Sequence, residues 1–549
     1  LINSLLIKLK QPMEAPQCNK KHQELNVHGH PRIDSYYWLN ERENKEVIDY
    51  LNKENAYSSH CMKDAEDLQR KLYEEIAGRI DKTESSVPYL LDGYYHYSRF
   101  EEGQEYPLFC RKKGNLNAPE QILLNNHELA KGQEYCQVAQ LSVNPIRELL
   151  AYSVDFISRR LYTIRLLDLQ SGLMLDDEIP ATSGGFTWSN DGKYLFYVQK
   201  DHTTLRSNKV FRHELGTNFK EDVLVFHEKE EAFVCSVYKC KSKDFIFIGS
   251  YSSTSTEYHF ISANKPLNAF SLFQKREEHH EYSIDHFEDQ FYVVSNWKAK
   301  NFRLLTCELN STSKEHWMEL IEHRENTLLE GIEIFKDFKV LEERSEGLSQ
   351  FRIISNSGEE HYIEMKADSY MTYGTVNREF DTPYFRYEYT SLVTPSTTYD
   401  YHFEHKNKII KKQKRVIGGY TESQYHTERV YASAADGTQV PISLVYNKSQ
   451  FKEGKTPLLL YGYGSYGHII DPSFSSARLS LLDRGFAFAV AHIRGGEDMG
   501  RYWYEEGKML SKMNTFTDFI ACGEHLMKTG YCAPDQLHAM GGSAGGLLI

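Results

Sequence analysis

The sequence has 549 residues, of which 26% are charged and 40% hydrophobic, and its formal net charge is −13. This length exceeds what one hydrophobic core holds, so we expect two or three domains. The negative charge argues against binding nucleic acid through bulk electrostatics. The apolar runs are too short for membrane-spanning helices. We therefore expect neither nucleic acid nor a membrane as a partner.

Nine cysteines are scattered along the chain without paired spacing. No histidine-rich segment completes a zinc pattern with them, so we predict neither a metal nor another cofactor. Reduced thiols are typical of cytoplasmic proteins, which is the location that we predict.

The chain begins at Leu1 rather than at a methionine. Residues 1–12 contain the apolar run Leu5-Leu6-Ile7, which is too short for a signal-peptide core and lacks a cleavage site. Our hypothesis is that Met13 is the natural start.

Residues 13–84 form the first predicted segment. Apolar residues recur there at helical spacing, and this pattern predicts two helices or one helix broken near residues 57–59. The residues that carry the pattern are Val47, Leu51, Leu68, Leu72, Ile76 and Ile80.

From about residue 85, short aromatic and β-branched runs follow turn-forming residues at a regular interval. The turn residues lie 44 to 53 positions apart and are Asp92, Asn144, Asp191, Asp244, Asp289, Asp337 and Asp381. A repeat of short strands with this period is typical of a β-propeller. The seven landmarks predict seven blades over residues 85–412. An array of β-sandwiches is the alternative.

After about residue 413 the pattern becomes α/β. Apolar runs at 458–461 and 486–493 indicate buried strands, and the spacing of Phe516, Phe519 and Ile520 indicates an amphipathic helix. Buried strands that alternate with helices predict a mostly parallel sheet covered on both faces.

The last nine residues contain the motif Gly-x-Ser-x-Gly around Ser543, after a strand-like run at 536–540. Such a motif is typical of a nucleophile elbow, in which a strained turn between strand and helix exposes the serine hydroxyl. Small residues are needed at Gly541, Gly545 and Gly546 because strand and helix pass close together. The N–H of Ala544 would then face a developing oxyanion. A glycine-rich loop with an incidental serine is the alternative.

In that fold the acid and the histidine of the triad follow the serine. The sequence stops six residues after Ser543. We therefore expect a truncated hydrolase that is inactive by itself.

Several motifs together resemble the prolyl oligopeptidase family of serine peptidases, and its oligopeptidase B branch most. They are RIDSYYWL (32–39), LLYGYGSYG (459–467), AHIRGG (491–496), WYEEGK (503–508), NTFTD (514–518) and GGSAGG (541–546). The resemblance runs from about residue 16 to the end of the chain.

This resemblance implies an α/β-hydrolase domain with an inserted seven-bladed propeller. The hydrolase would comprise residues 413–549, with the helical segment 13–84 packing on it. It further implies a serine oligopeptidase that cleaves short peptides after Arg or Lys, while the propeller limits access by folded proteins. Short basic peptides are thus the expected partners, and the sequence indicates no oligomeric state.

Site residues follow from the resemblance by position. Ser543 corresponds to the nucleophile and Tyr463 to a tyrosine whose hydroxyl completes the oxyanion hole with Ala544. Asp471 corresponds to an acid that binds a basic side chain of the substrate. A second acid that some members carry is replaced here by Ser473. The family's triad Asp and His would lie beyond Ile549.

Two other functions stay open at this point. One is an esterase on the same scaffold, against which the propeller and the N-terminal motif argue. The other is a non-catalytic propeller protein, the product of a decayed gene.

Overall fold

The structure, a computed structural model, describes residues 13–549. The predicted leader at residues 1–12 lies outside them. The chain divides between Arg79 and Ile80 into two compact units. The predicted domain bounds, 13–84, 85–412 and 413–549, stay predictions.

The first unit consists of a hairpin and two helices. Asn44 begins the first helix, because its side chain accepts a hydrogen bond from the Glu46 N–H at 2.9 Å. The break between the helices lies at 62–65, where a 3₁₀ turn intervenes, and not at 57–59. The elements are β1 (Gln23–Val27), β2 (His30–Asp34), α1 (Lys45–Cys61) and α2 (Glu66–Gly78).

The second unit begins with antiparallel sheets formed by strands that are consecutive in sequence. The first has four strands, β3 (Tyr89–Leu91), β4 (Tyr94–Arg99), β5 (Leu108–Lys113) and β6 (Glu120–Asn125), and is followed by the short helix α3 (Asn126–Leu129). The next has seven strands, β7 (Gln137–Val143), β8 (Leu149–Asp155), β9 (Tyr162–Asp168), β10 (Met174–Trp188), β11 (Tyr194–Lys200), β12 (Ser207–Glu214) and β13 (Val223–His227).

Four more four-stranded sheets complete this region. They are β14 (Val234–Lys239), β15 (Phe245–Tyr251), β16 (Thr256–Ser262) and β17 (Ser271–Gln274); β18 (Tyr282–Phe287), β19 (Gln290–Ser295), β20 (Arg303–Glu308) and β21 (Met318–Ile321); β22 (Thr327–Ile334), β23 (Phe338–Ser345), β24 (Leu348–Ser355) and β25 (Glu360–Tyr362); and β26 (Tyr370–Gly374), β27 (Tyr384–Ser391), β28 (Thr397–His402) and β29 (Asn407–Gln413).

The prediction of seven separate blades is wrong. Residues 89–413 form five four-stranded sheets and one continuous seven-stranded sheet. The difference arises at β10, which runs for 15 residues without a break. Its first part pairs with β9 and its second part with β11, and both pairings meet at Thr182. Two of the repeat units expected from the sequence therefore share this strand.

The C-terminal part contains five strands and four helices. The elements are β30 (Tyr425–Ser433), β31 (Gln439–Asn447), β32 (Leu458–Tyr461), α4 (Leu479–Leu482), β33 (Ala487–Ala491), α5 (Arg501–Glu505), α6 (Met513–Lys528), β34 (Leu537–Met540) and α7 (Ala544–Leu548). The strands form one sheet in the order β30-β31-β33-β32-β34. Only the pairs β32–β33 and β32–β34 are parallel, so the expectation of a mostly parallel sheet holds for three strands.

The core of this part lies between the sheet and α6. Leu458 and Leu460 on β32 pack in one cluster with Cys522 and Leu526 of α6, and all four side chains are buried. A buried ion pair holds α6 to the loop after β33, because the Arg494 Nη2 lies 2.7 Å from the Asp518 carboxylate.

The parallel strands bring three loops to one edge of the sheet. Tyr461 pairs with Met540 on β34 and with Val490 on β33, so the three strands end at the same level. Ligands bind at this edge in parallel sheets. The loop after β32 and the turn after β34 are therefore neighbours.

Among residues 13–549, no helix combines the length and the apolar character that crossing a membrane requires.

Candidate active site

Ser543 occupies a strained turn between β34 and α7. Its backbone has φ 56° and ψ −120°, a region that a residue with a side chain rarely adopts. The residue is exposed, and α7 begins directly after it at Ala544. This is the conformation of a nucleophile elbow.

Two glycines allow this turn to close. A Cβ on Gly541 would lie 2.2 Å from the Gly545 carbonyl oxygen, and one on Gly545 would lie 2.8 Å from the Gly462 oxygen. No atom lies within 4 Å of a Cβ placed on Gly546. The prediction that a small residue is required is thus confirmed at Gly541 and Gly545. It is wrong at Gly546, where a Cβ would meet no other atom.

Tyr463 lies against the first turn of α7. A Cβ on Gly545 would be 3.5 Å from the ring atom Cδ2 of Tyr463, so the tyrosine borders the residue that follows Ala544. The Gly462 N–H donates to the Met540 oxygen at 3.2 Å and ties the Tyr463 loop to β34. Because Ala544 is the first residue of α7, its N–H has no partner within the helix. The Tyr463 loop and the Ala544 N–H therefore both lie next to the elbow.

No histidine in the described chain, residues 13–549, is hydrogen-bonded to the Ser543 hydroxyl. His538 lies exposed on β34, with its ring 5.9 Å from that of Phe486. The described residues thus place no histidine against Ser543 to act as the general base that an acyl transfer needs.

A different Ser-His-Asp arrangement lies buried elsewhere, and sequence reasoning missed it. The Nε2 of His492 lies 2.7 Å from the Ser443 Oγ, and its Nδ1 lies 2.9 Å from Asp498. The Ser369 hydroxyl donates to Ser443 at 2.7 Å. Only 1% of Ser443 is exposed, so a substrate cannot reach it. We interpret this series of hydrogen bonds as a structural link that joins β31 to Ser369, the residue just before β26.

Asp471 follows β32 and binds an arginine of the propeller part. The Arg344 guanidinium donates to both carboxylate oxygens of Asp471, at 2.9 and 3.1 Å. It also donates to Glu330 at 2.8 Å. One arginine thus binds two carboxylates. The cluster of Arg344, Asp471 and Glu330 therefore carries one more negative than positive charge.

A second cluster of the same composition lies beside the Tyr463 loop. Arg501 lies 2.5 Å from the Glu497 carboxylate and also binds Glu281. Burial raises the pKa of Glu497, although Arg501 opposes this shift. A Cβ on Gly467 would lie 2.9 Å from a Glu497 carboxylate oxygen, so Glu497 contacts the loop. Nothing in the local sequence signals this cluster, since Glu281 lies on the propeller side.

Within residues 13–549, no three side chains of His, Cys, Asp or Glu are grouped so that they could hold a metal ion.

Comparison with known proteins places these features in a family. Two family profiles match: "Prolyl oligopeptidase, N-terminal beta-propeller domain" over residues 16–414 and "Prolyl oligopeptidase family" over residues 472–549. A dipeptidyl aminopeptidase BI of Pseudoxanthomonas mexicana is 41% identical over 97% of this chain and 76% of its own length. Protease 2 of Moraxella lacunata is 35% identical over 98% of this chain and 78% of its own length.

Among solved structures, oligopeptidase B from Leishmania major superposes with a TM-score of 0.92 at 32% identity. The match covers 97% of this chain and 79% of that one. The elbow, the strand order and these similarities agree, and the chain belongs to the prolyl oligopeptidase family of serine peptidases.

Proposed function

We propose that this protein hydrolyses short peptides after Arg or Lys through an acyl-enzyme on Ser543. The observation that carries the proposal is the strained, exposed position of Ser543 between β34 and α7. A turn of this kind costs free energy and persists where function uses it.

In the proposed reaction, the Ser543 Oγ attacks the scissile carbonyl and a tetrahedral oxyanion forms. The Ala544 N–H and the Tyr463 hydroxyl donate hydrogen bonds to that oxyanion. The Ser543 proton must pass to a histidine base, which later returns it to the leaving amine. Hydrolysis of the acyl-enzyme by water completes the cycle.

The preference for basic residues is supported by the two clusters of one arginine and two carboxylates. Each contains one more carboxyl group than guanidinium groups, and one contains Asp471, the predicted contact for a substrate cation. The other adjoins the Tyr463 loop through Glu497. A cationic side chain gains attraction from both clusters, and the attraction is stronger where water is partly excluded.

A second candidate is the removal of dipeptides from free amino termini. The relative that is 41% identical carries the name dipeptidyl aminopeptidase, which favours this activity. The two candidates share the Ser543 chemistry and differ in whether a free α-amino group is required.

One set of substrates separates these functions. The protein, produced from its complete coding sequence, is assayed with an arginyl peptide amide whose amino terminus is blocked, with the same peptide unblocked, and with a simple ester. Turnover of the blocked amide supports the oligopeptidase. Turnover of the unblocked amide alone supports the dipeptidyl aminopeptidase, and turnover of the ester alone supports an esterase. Activity that survives Ser543→Ala would refute all three assignments.

Residues 1–549 by themselves are proposed to have no useful peptidase turnover. The reason is that no imidazole among residues 13–549 is bonded to Ser543, and removing one triad member forfeits nearly the whole advantage of the triad. The test is an assay of this chain with the arginyl amide beside its Ser543→Ala variant. Turnover well above that of the variant would mean that an upstream histidine serves as the base.

A further inference from the structure

Lys512 lies between two helical segments. It follows the 3₁₀ turn Met509–Ser511 and precedes α6, and its own backbone is helical, with φ −56° and ψ −27°. Its side chain makes no capping hydrogen bond to α6 and extends to a neighbouring loop.

The ammonium group of Lys512 binds the loop that carries Tyr463. It donates to the Gly464 carbonyl oxygen, and it lies 2.8 Å from the Ser465 Oγ. No carboxylate within the described part of the chain forms an ion pair with it. Burial lowers the pKa of Lys512. A half-buried ammonium group without a carboxylate partner thus lies against the loop that carries Tyr463.

The Gly464 carbonyl has little access to other donors. A Cβ on Gly495 would lie 2.1 Å from this oxygen, and a Cβ on Gly464 would lie 2.4 Å from a methyl carbon of Thr515. The hydroxyl of Thr515 is 3.5 Å from the oxygen, which is a weak contact. Lys512 is therefore the principal donor to this buried acceptor.

Hydrogen bonds therefore hold Gly462 and Gly464, the two residues that flank Tyr463 in the sequence. On one side, the Gly462 N–H is bonded to Met540, three residues before Ser543. On the other side, the Gly464 carbonyl is held by Lys512. The position of the tyrosine relative to the serine depends on these two attachments.

We propose that Lys512 is a positioning residue of the oxyanion hole, which holds the loop so that the Tyr463 hydroxyl meets the oxyanion. This inference rests on the proposed role of Tyr463. Lys512 does not touch the reacting atoms, and it acts through the Gly464 carbonyl and the Ser465 hydroxyl.

The first test is kinetic and uses the protein from its complete coding sequence with the arginyl amide. Lys512→Met keeps the aliphatic stem, so we expect kcat to fall about 10- to 100-fold while KM stays within about twofold. Lys512→Arg retains donors and should recover part of the rate. Lys528→Met, at the exposed other end of α6, is the matched control and should change neither constant.

A double mutant decides whether Lys512 acts through Tyr463. In a Tyr463→Phe background, Lys512→Met should cause little further loss of kcat, because residues that act as a unit are not additive. Independent, multiplicative losses would overturn the proposal. So would a loss confined to KM.

The second test needs no activity and uses residues 1–549. Hydrogen exchange of the Gly462, Gly467 and His468 amides, which are all bonded in the structure, is followed by mass spectrometry. We expect faster exchange in Lys512→Met and no change in Lys528→Met. Unchanged exchange would refute the proposal whatever the kinetics show. If Ser543→Ala retains full activity, the proposed function fails, and the exchange result still decides the role of Lys512.

Discussion

Arg344 holds the carboxylate of Asp471 with two guanidinium nitrogens, at 2.9 and 3.1 Å, and so joins the propeller part to the loop after β32. The same guanidinium also donates to the Glu330 carboxylate at 2.8 Å. Removing the charge of Asp471 therefore does not leave Arg344 without a carboxylate. The substitution changes the charge of the cluster more than its structure, which makes it a test of specificity.

Asp471→Asn should lower kcat/KM about tenfold, on the order of 1.4 kcal/mol, for substrates with Arg before the cleavage residue. Substrates without that Arg should be affected much less, because they present no cation to the cluster. Asp400→Asn is the matched control, since Asp400 forms a similar two-nitrogen pair with Arg386 between β27 and β28. Equal losses for both kinds of substrate would remove Asp471 from the specificity role.

Tyr463→Phe should lower kcat about a hundredfold or more, because one donor to the oxyanion is lost. KM should change little, since the hydrogen bond forms mainly in the transition state. The control is Tyr466→Phe, which alters an exposed tyrosine of the same loop and should leave kcat unchanged. An effect of similar size in both variants would indicate that the loop as a whole, and not the Tyr463 hydroxyl, is disturbed.

The features that the sequence predicts correctly depend on local chemistry. The elbow at Ser543 needs a serine with small neighbours in a turn, and the motif itself carries that requirement. The pair Arg344–Asp471 joins residues 127 positions apart, and the Arg501–Glu281 pair joins residues 220 apart. No short window of sequence contains both members of such a pair.

The wrong blade count has an equally physical cause. Pro180, Gly184 and Gly185 interrupt the apolar pattern within β10, and such residues usually end a strand. Here the strand continues through them, and the irregularity appears as shifts of register near Thr182. Sequence signals alone do not distinguish a bulge in one strand from a boundary between two.

Gly541→Ala should destabilise the elbow strongly and abolish activity. Its Cβ would meet the Gly545 carbonyl oxygen at 2.2 Å, and a backbone oxygen cannot move aside as a side chain does. Gly546→Ala is the matched control within α7, where a Cβ finds no atom within 4 Å. An alanine there favours the helix by roughly 0.5–1 kcal/mol. Thermal unfolding and the arginyl amide assay measure both effects, and a Gly541→Ala protein with normal turnover would contradict the close packing described.

The propeller part contains a histidine buried between two aspartates. His213 Nε2 lies 3.0 Å from Asp177, and its Nδ1 lies 2.7 Å from Asp222. Burial lowers the pKa of His213, but the hydrogen bonds to the two carboxylates outweigh it and raise the pKa to about 9. The imidazolium therefore holds β12 to β10 and to the turn before β13 at neutral pH.

This raised pKa predicts how stability depends on pH. The contribution of His213 is fully present below its unfolded pKa of about 6.5 and is lost as pH rises through about 9. It is on the order of 3 kcal/mol. Melting temperatures between pH 7 and 10 should fall with pH in the unmodified protein and fall less in His213→Gln. The control is His280→Gln, because burial lowers the pKa of His280 and leaves it neutral throughout this range. An unchanged slope in His213→Gln would show that His213 is not the group that titrates.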